Sequence, residues 1–199
     1  DEIIWHNPQK PPTPTEWVSK TRQQLKAGYE AILWFTNNPQ AVEADNRRVL
    51  DPHTDRMKTL IGKGGEARHR QSSDDAYRCR PGSFGNETPG RIPQNVLKMG
   101  HSCGSQNRYK KQAKALGLPP HGAPYPMRLA LFLIRFLSRE NDLVVDPFAG
   151  SQTTALAAEQ TGRRWLTTDC MWEYARGGVE RFRDNEHLQV SECFLSAVS

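Results

Sequence analysis

Asp146, Gly150, Ser151 and Asp169 are the residues whose types and spacing could do chemistry in this chain. They lie in D-L-V-V-D-P-F-A-G-S-Q-T-T-A-L-A-A-E, residues 142–159, and at the end of R-R-W-L-T-T-D, residues 163–169. The first stretch reads as a short buried strand (143–146), a turn and a helix. Asp146 stands at the carboxyl end of that strand, where α/β sheets place their ligands. Gly150 lets the backbone turn tightly and approach a ligand with no Cβ in the way. Ser151 is placed to cap the next helix, whose free N–H groups favour an anionic group such as a carboxylate. Asp146 can attract an ammonium group or accept a hydrogen bond. A face for a carboxylate and another for an amine describe an amino-acid-like ligand.

Asp169 ends the following strand, where an acidic side chain can accept hydrogen bonds from both hydroxyls of a ribose. An amino-acid grip beside a nucleoside grip suits S-adenosylmethionine, which contains both. A dinucleotide would want G-x-G-x-x-G, with a second glycine making room for the pyrophosphate. The run here is G-S-Q-T-T-A, without the second or third glycine. A β-turn-α with a capping serine and no ligand is the plain alternative for a lone D-x-x-x-G. The second acidic strand end weighs against it.

These groups need strands and helices to hold them. Met127, Leu131, Ile134 and Leu137 recur at helical spacing and predict an amphipathic helix over 126–138. Strand 143–146, a helix ending at Gly162, strand 163–169 and a helix over 172–184 follow. That order is half of a doubly wound α/β domain. Upstream, residues 1–6 and 28–36 read as buried strands, joined by a Pro-rich connector that cannot be helical in its middle. Residues 108–117 restore a helical pattern, with Gly117 as its stop. Short apolar hints at 55–61 and 92–99 interrupt a region rich in Gly, Pro, Ser, Asn and Arg.

The chain has 199 residues, 36% hydrophobic and 25% charged, enough for one domain with a real core. No apolar run reaches the length of a membrane span. The opening residues carry no signal-peptide pattern, and the chain reads as a fragment or the ordered part of something longer. Four cysteines, at 79, 103, 170 and 193, form no C-x-x-C and have no His at finger spacing. Free thiols are expected, and no metal site. Net charge is +5. Residues 45–114 hold fifteen Lys and Arg against seven Asp and Glu, while the remainder is slightly acidic. Such a basic middle suggests a module facing a polyanion. Its composition equally fits a flexible, solvated insertion.

V-V-D-P-F-A-G-S-Q-T-T, R-R-W-L-T-T-D and E-Y-A-R-G-G-V-E-R-F resemble the cofactor-binding half of the β-class DNA amino-methyltransferases. H-G-A-P-Y-P-M-R-L-A-L-F-L-I-R-F-L-S looks like the helix that precedes the strand in that family. N-P-Q-K-P-P-T-P-T-E-W-V, A-I-L-W-F, D-R-M-K-T-L-I and I-P-Q-N-V-L are similar to cytosine-N4 enzymes of restriction–modification systems. The likeness covers nearly all of residues 3–184. It implies an α/β, doubly wound Rossmann-like methyltransferase sheet with an inserted basic, loop-rich target-recognition region. Residues 1–40 would complete a catalytic subdomain, 41–115 would recognise the target, and 116–199 would bind S-adenosylmethionine.

By that resemblance Asp146, Pro147, Phe148, Gly150, Ser151, Thr153 and Thr154 line the methionyl site. Asp169 takes the ribose position, Met171 or Trp172 flanks the adenine, and His121, Pro124 and Met127 match the motif before the strand. Gln152 replaces a frequent glycine, so that position is expected not to need a positive φ. Gly122 replaces a common proline, and Asp169 is one methylene shorter than the frequent glutamate.

The family methylates an exocyclic amine of a flipped base in double-stranded DNA. A Ser, Asp or Asn before Pro-Pro-aromatic accepts hydrogen bonds from that amine. K-P-P-T (10–13) and L-P-P-H (118–121) have neither the acceptor nor the ring. The catalytic residues are therefore expected upstream of Asp1 or on a partner chain, with the 199 residues alone inactive. Cytosine N4 is favoured over adenine N6, and a non-catalytic DNA- or cofactor-binding half is the other reading. Arg47, Arg48, Arg56, Lys58, Arg68, Arg70, Arg78, Arg80, Lys110 and Lys111 are the candidate DNA contacts, most of them to phosphates. A cytoplasmic, bacterial or phage-encoded protein is expected, with a homodimer left open.

Overall fold

The structure, a computed structural model, describes residues 1–71 and 77–196, the side chains of Cys193 and Ser196 excepted. Ser72–Asp75 of the region rich in Gly, Pro, Ser, Asn and Arg, and the Cys193 thiol, lie outside what is described. In chain order the elements are β1 (Glu2–His6), β2 (Tyr29–Leu33), α1 (Asp55–Gly62), β3 (Arg70–Gln71), β4 (Arg78–Cys79), β5 (Val96–Lys98) and α2 (Gly104–Ala115). Then come α3 (Met127–Leu137), β6 (Leu143–Asp146), α4 (Thr153–Gln160), β7 (Arg164–Thr167), α5 (Trp172–Val179) and α6 (Glu192–Ser196). The chain divides into two compact units, one of residues 1–45 and 94–199, the other of residues 46–93.

In the larger unit β6 and β7 run parallel, with Leu143 opposite Arg164 and Asp146 opposite Thr167. Helix α4 is the crossover between them. Its Ala155, Ala157 and Ala158 are fully buried, and their small side chains let it sit close to strands and helix α3. Met127, Ala130 and Ile134 of α3 complete that core with Val144 and Trp165. Each large apolar side chain so buried contributes about 1.5–3 kcal/mol. The parallel register brings the carboxyl ends of β6 and β7 side by side, which is what a site built on Asp146 and Asp169 requires.

A second sheet has the order β2-β1-β5. β1 pairs antiparallel with β2 and parallel with β5. Ile3 and Trp5 of β1 and Leu97 of β5 pack on Leu129 of α3, joined by Phe132, Leu133 and Phe136. Helix α3 thus serves two cores from different faces, which explains why M-R-L-A-L-F-L-I-R-F-L is apolar nearly all round rather than along one stripe.

Two expectations of burial need correction. β2 is an edge strand, and only Ile32 turns toward the core; Tyr29 and Leu33 are each 58% exposed. In the β6–β7 pair Val144 and Trp165 face the helices while Leu143, Val145 and Leu166 are exposed. A pleated strand covered on one side buries only alternate residues. The helix expected over 172–184 ends at Val179 and tightens into a 3-10 turn, Glu180–Phe182.

Residues 46–93 form a unit of their own rather than loose chain. Thr54 caps α1, its hydroxyl accepting from the Met57 N–H at 3.3 Å. Glu66 N–H donates to the Ser83 carbonyl at 2.9 Å, and Gly82 N–H returns a bond to the Glu66 carbonyl at 2.8 Å. The two chain segments cross so closely that a Cβ on Gly65 would lie 2.6 Å from the Gly82 carbonyl oxygen. Asp51 and Arg91 close the unit with paired backbone bonds and an ion pair of 3.1 Å. The stretch 94–115, basic by composition, lies with the larger unit.

Candidate functional site

Backbone bonds clamp the ends of β6 and β7 together. Thr168 N–H donates to the Asp146 carbonyl at 3.0 Å, and Ala149 N–H to the Thr168 carbonyl at 2.9 Å. Gly150 N–H then donates to Asp169 Oδ2 at 2.6 Å, so the turn after β6 is hooked onto the acid after β7. Asp169 Oδ1 accepts from the Met171 N–H at 2.8 Å. Asp146 Oδ1 accepts from the Phe148 N–H at 2.9 Å, while Oδ2 accepts from the Thr154 hydroxyl. Thr154 in turn bonds the Tyr125 hydroxyl, whose pKa is raised by burial, so it keeps its proton. Each carboxylate oxygen retains a further lone pair for a ligand.

Gly150 has φ 49°, in the left-handed region where a side chain is strained. A Cβ there would also stand 3.0 Å from the His121 ring, which rests edge-on against Tyr174 with centroids 4.8 Å apart. The glycine therefore makes the turn and admits His121 beside it. Phe148, at the apex, is 87% exposed.

Behind the turn lies a part-buried polar network. Arg181 donates from Nε to the Ser151 carbonyl at 2.6 Å, from Nη1 to Ser105 Oγ at 2.7 Å and from Nη2 to Gln106 Oε1 at 2.7 Å. Its guanidinium also lies over the Tyr109 ring, 4.8 Å from the centroid. Burial pushes its pKa down to about 10, so it remains a cation at neutral pH. Gln106 donates onward to the Tyr125 carbonyl at 2.7 Å and to Thr153 Oγ1 at 3.1 Å. Tyr125 also lines a cavity of about 840 Å³ with Trp5, Asn7, His101 and Leu129.

Residues 1–180 match the N6_N4_Mtase family, described as DNA methylase. The chain belongs to this DNA methylase family. Over 188 residues it is 36% identical to the type II methyltransferase M.PvuII of Proteus hauseri, covering 93% of this chain and 54% of that protein. It is 44% identical over 153 residues to the type II methyltransferase M.HindIII of Haemophilus influenzae, 76% of this chain and 39% of the relative. The chain thus spans about half or less of the length of these relatives. The solved PvuII DNA methyltransferase, cytosine-N4-specific, superposes with a TM-score of 0.66 at 29% identity, over 96% of this chain and 52% of that one. The fold is that Rossmann-like α/β class, with small sheets and a basic, loop-rich insertion.

In the chain, Asp146, Gly150, Thr154, Asp169 and His121 converge at the strand ends, and Pro147 and Phe148 form the exposed turn between them. Met171 follows Asp169 in its turn, and Pro124 is buried one residue before Tyr125. Met127 is packed in the apolar core with Ala157 and Ala158. Trp172 donates its indole N–H to the Phe194 carbonyl at 3.1 Å, against the C-terminal segment.

Two expectations fail here. Ser151 does not cap α4: Gln152 holds the cap position, and the buried Ser151 hydroxyl meets Thr153 Oγ1 at 3.1 Å. Gln152 does adopt a positive φ, 60°. Its side chain supplies the compensation, since Oε1 accepts from the Thr167 hydroxyl at 2.6 Å and the stem packs against Gly178. Sequence reasoning missed Gln106, Tyr109, Tyr125 and Arg181. The small pair Gly177-Gly178 just before Arg181 was the available signal, because it lets α5 approach the turn.

Of the candidate DNA contacts, Arg47, Arg48, Arg56, Lys58, Arg68, Arg70, Arg78 and Arg80 belong to the smaller unit. Lys58 pairs with Asp55 at 3.3 Å and Arg70 with Glu66 at 3.5 Å. Lys110 and Lys111 lie on α2 in the larger unit. Cys79, Cys103 and Cys170 are free thiols. Among the described residues no helix is long and apolar enough to cross a membrane.

Proposed function

We propose that the protein is a site-specific DNA methyltransferase acting on an exocyclic amine of a flipped base, cytosine N4, with S-adenosylmethionine as donor. The observation that carries the reading is the Gly150–Asp169 hook, which sets two carboxylates at neighbouring strand ends around a turn without a Cβ. When bound, S-adenosylmethionine supplies an electrophilic methyl group. Asp146 would hold its ammonium end and Asp169 its ribose hydroxyls, while Gly150 makes the tight turn between them and admits the His121 ring beside it. The cytosine preference is supported by the likeness to the cytosine-N4-specific PvuII enzyme.

An exocyclic amine is a weak nucleophile until acceptors draw on its hydrogens, and these 199 residues hold no Pro-Pro-aromatic motif to supply them. We assign that step to a segment or partner outside them. S-adenosylhomocysteine at about a hundred times its Kd should stabilise the chain by about 2.7 kcal/mol. Calorimetry reads this directly, and the absence of any shift would sink the cofactor reading. The same preparation with S-adenosylmethionine and duplex DNA is expected to transfer no methyl group. Methylation by it would overturn only the placement of the amine acceptors.

The basic unit is assigned to DNA contact. If about six of its cations meet phosphates, duplex affinity should fall about a thousandfold between 50 and 200 mM salt. Fluorescence anisotropy across that range checks it, and a flat salt dependence would remove the electrostatic role.

A further inference from the structure

Arg181 stands out once the turn has been described, because it is a cation held among neutral partners. Its bonds go to the Ser151 carbonyl, Ser105, Gln106 and, at 3.5 Å, Ser151 Oγ. Among the described residues none of these partners is a carboxylate. The neighbouring arginines differ: Arg176 and Arg183 both pair with the buried Glu180. A partly buried cation without a carboxylate partner keeps a positive field that its surroundings can use. Here its strongest tie is to the backbone of the turn that joins Asp146 to α4. Through Gln106 it also reaches Thr153, in the first turn of α4, and the carbonyl of Tyr125.

We infer that Arg181 is a positioning residue that fixes the 147–153 turn through Ser151 and supplies the positive field by which this turn prefers a ligand bearing a carboxylate. The inference rests on the cofactor reading above and adds the source of its selectivity for the amino-acid end. Arg181 touches the turn from behind at Ser151, so its field acts most on the part of the ligand that the turn holds. The nucleoside end is assigned to Asp169, whose own bonds to the Gly150 and Met171 N–H groups do not involve Arg181.

Two probes separate these ends. S-adenosylhomocysteine carries the carboxylate, and 5′-methylthioadenosine keeps the thioether nucleoside but lacks the amino acid. Isothermal titration of the wild-type chain, Arg181→Met and Arg181→Lys with both is the experiment. Arg181→Met should weaken S-adenosylhomocysteine about 10- to 100-fold, the range expected for losing hydrogen bonds to a charged group. It should leave 5′-methylthioadenosine within about twofold, and Arg181→Lys, which keeps the charge, should fall between. Equal weakening of both probes would show a merely structural role and overturn the proposal, as would no change in either. If Arg181→Met does not fold, the ratio of the two affinities in Arg181→Lys decides: a ratio equal to wild type overturns the proposal. A wild-type chain that binds neither probe defeats the cofactor reading itself, and this inference with it.

Discussion

Asp146→Ala is expected to eliminate the stabilisation by S-adenosylhomocysteine and to lower the ligand-free stability at the same time. The carboxylate has two structural duties: it accepts from the Phe148 N–H, which shapes the turn, and from Thr154, which anchors the start of α4. Alanine leaves both donors without that acceptor, at a cost of about 1–3 kcal/mol. It also removes the only negative charge that β6 brings to the turn, so affinity should fall at least about 100-fold. Asp146→Asn separates the two effects. An amide oxygen still accepts one of the internal bonds, so the fold should largely hold while the ligand is lost with the charge. Differential scanning calorimetry with and without ligand reads both quantities. A full ligand shift in Asp146→Ala would remove Asp146 from the site.

Gly178→Ala should unfold the protein at a temperature about 5–10 °C lower, equivalent to about 2–3 kcal/mol. A Cβ at 178 would overlap Gln152 Cγ and stand 3.0 Å from Gln152 Cβ. These atoms lie close to the backbone of a residue held at φ 60° by its bond to Thr167, so they cannot swing aside. The prediction has an internal control. Gln152→Gly removes the overlapping atoms and suits the left-handed backbone, so the double variant should recover much of the loss. Such coupling between contacting residues runs to about 0.5–3 kcal/mol. A double variant as unstable as the sum of its parts would show that the contact is not the cause.

The strand–turn–helix around Asp146 was legible because D-P-F-A-G changes period abruptly, from a short apolar run to a helix. The second acid followed at the end of the next strand. The α3–β6–α4–β7–α5 order was legible from helical spacing and from the glycine at 162 that ends the crossover helix. What could not be read was which strand faces would be covered. Leu143, Val145 and Leu166 are typical core residues by type, and only the arrangement of helices on one side leaves them exposed. Arg181 was equally opaque. It lies thirty positions from Ser151 and more than seventy from Ser105 and Gln106, and the Gly177-Gly178 pair signals a close approach without naming these partners. The Gln152 conformation was misread because positive φ was tied to glycine alone, when a long side chain with its own partner can hold it.

The smaller unit is one uninterrupted run of chain, residues 46–93, with its own cap, its own crossed backbone and its own closing ion pair. A stretch that is self-supporting and leaves the chain only at its two ends can be exchanged as a cassette. If that run makes the DNA contacts proposed above, grafting another relative's equivalent run between positions 45 and 94 should change the DNA preference and leave S-adenosylhomocysteine affinity as it was.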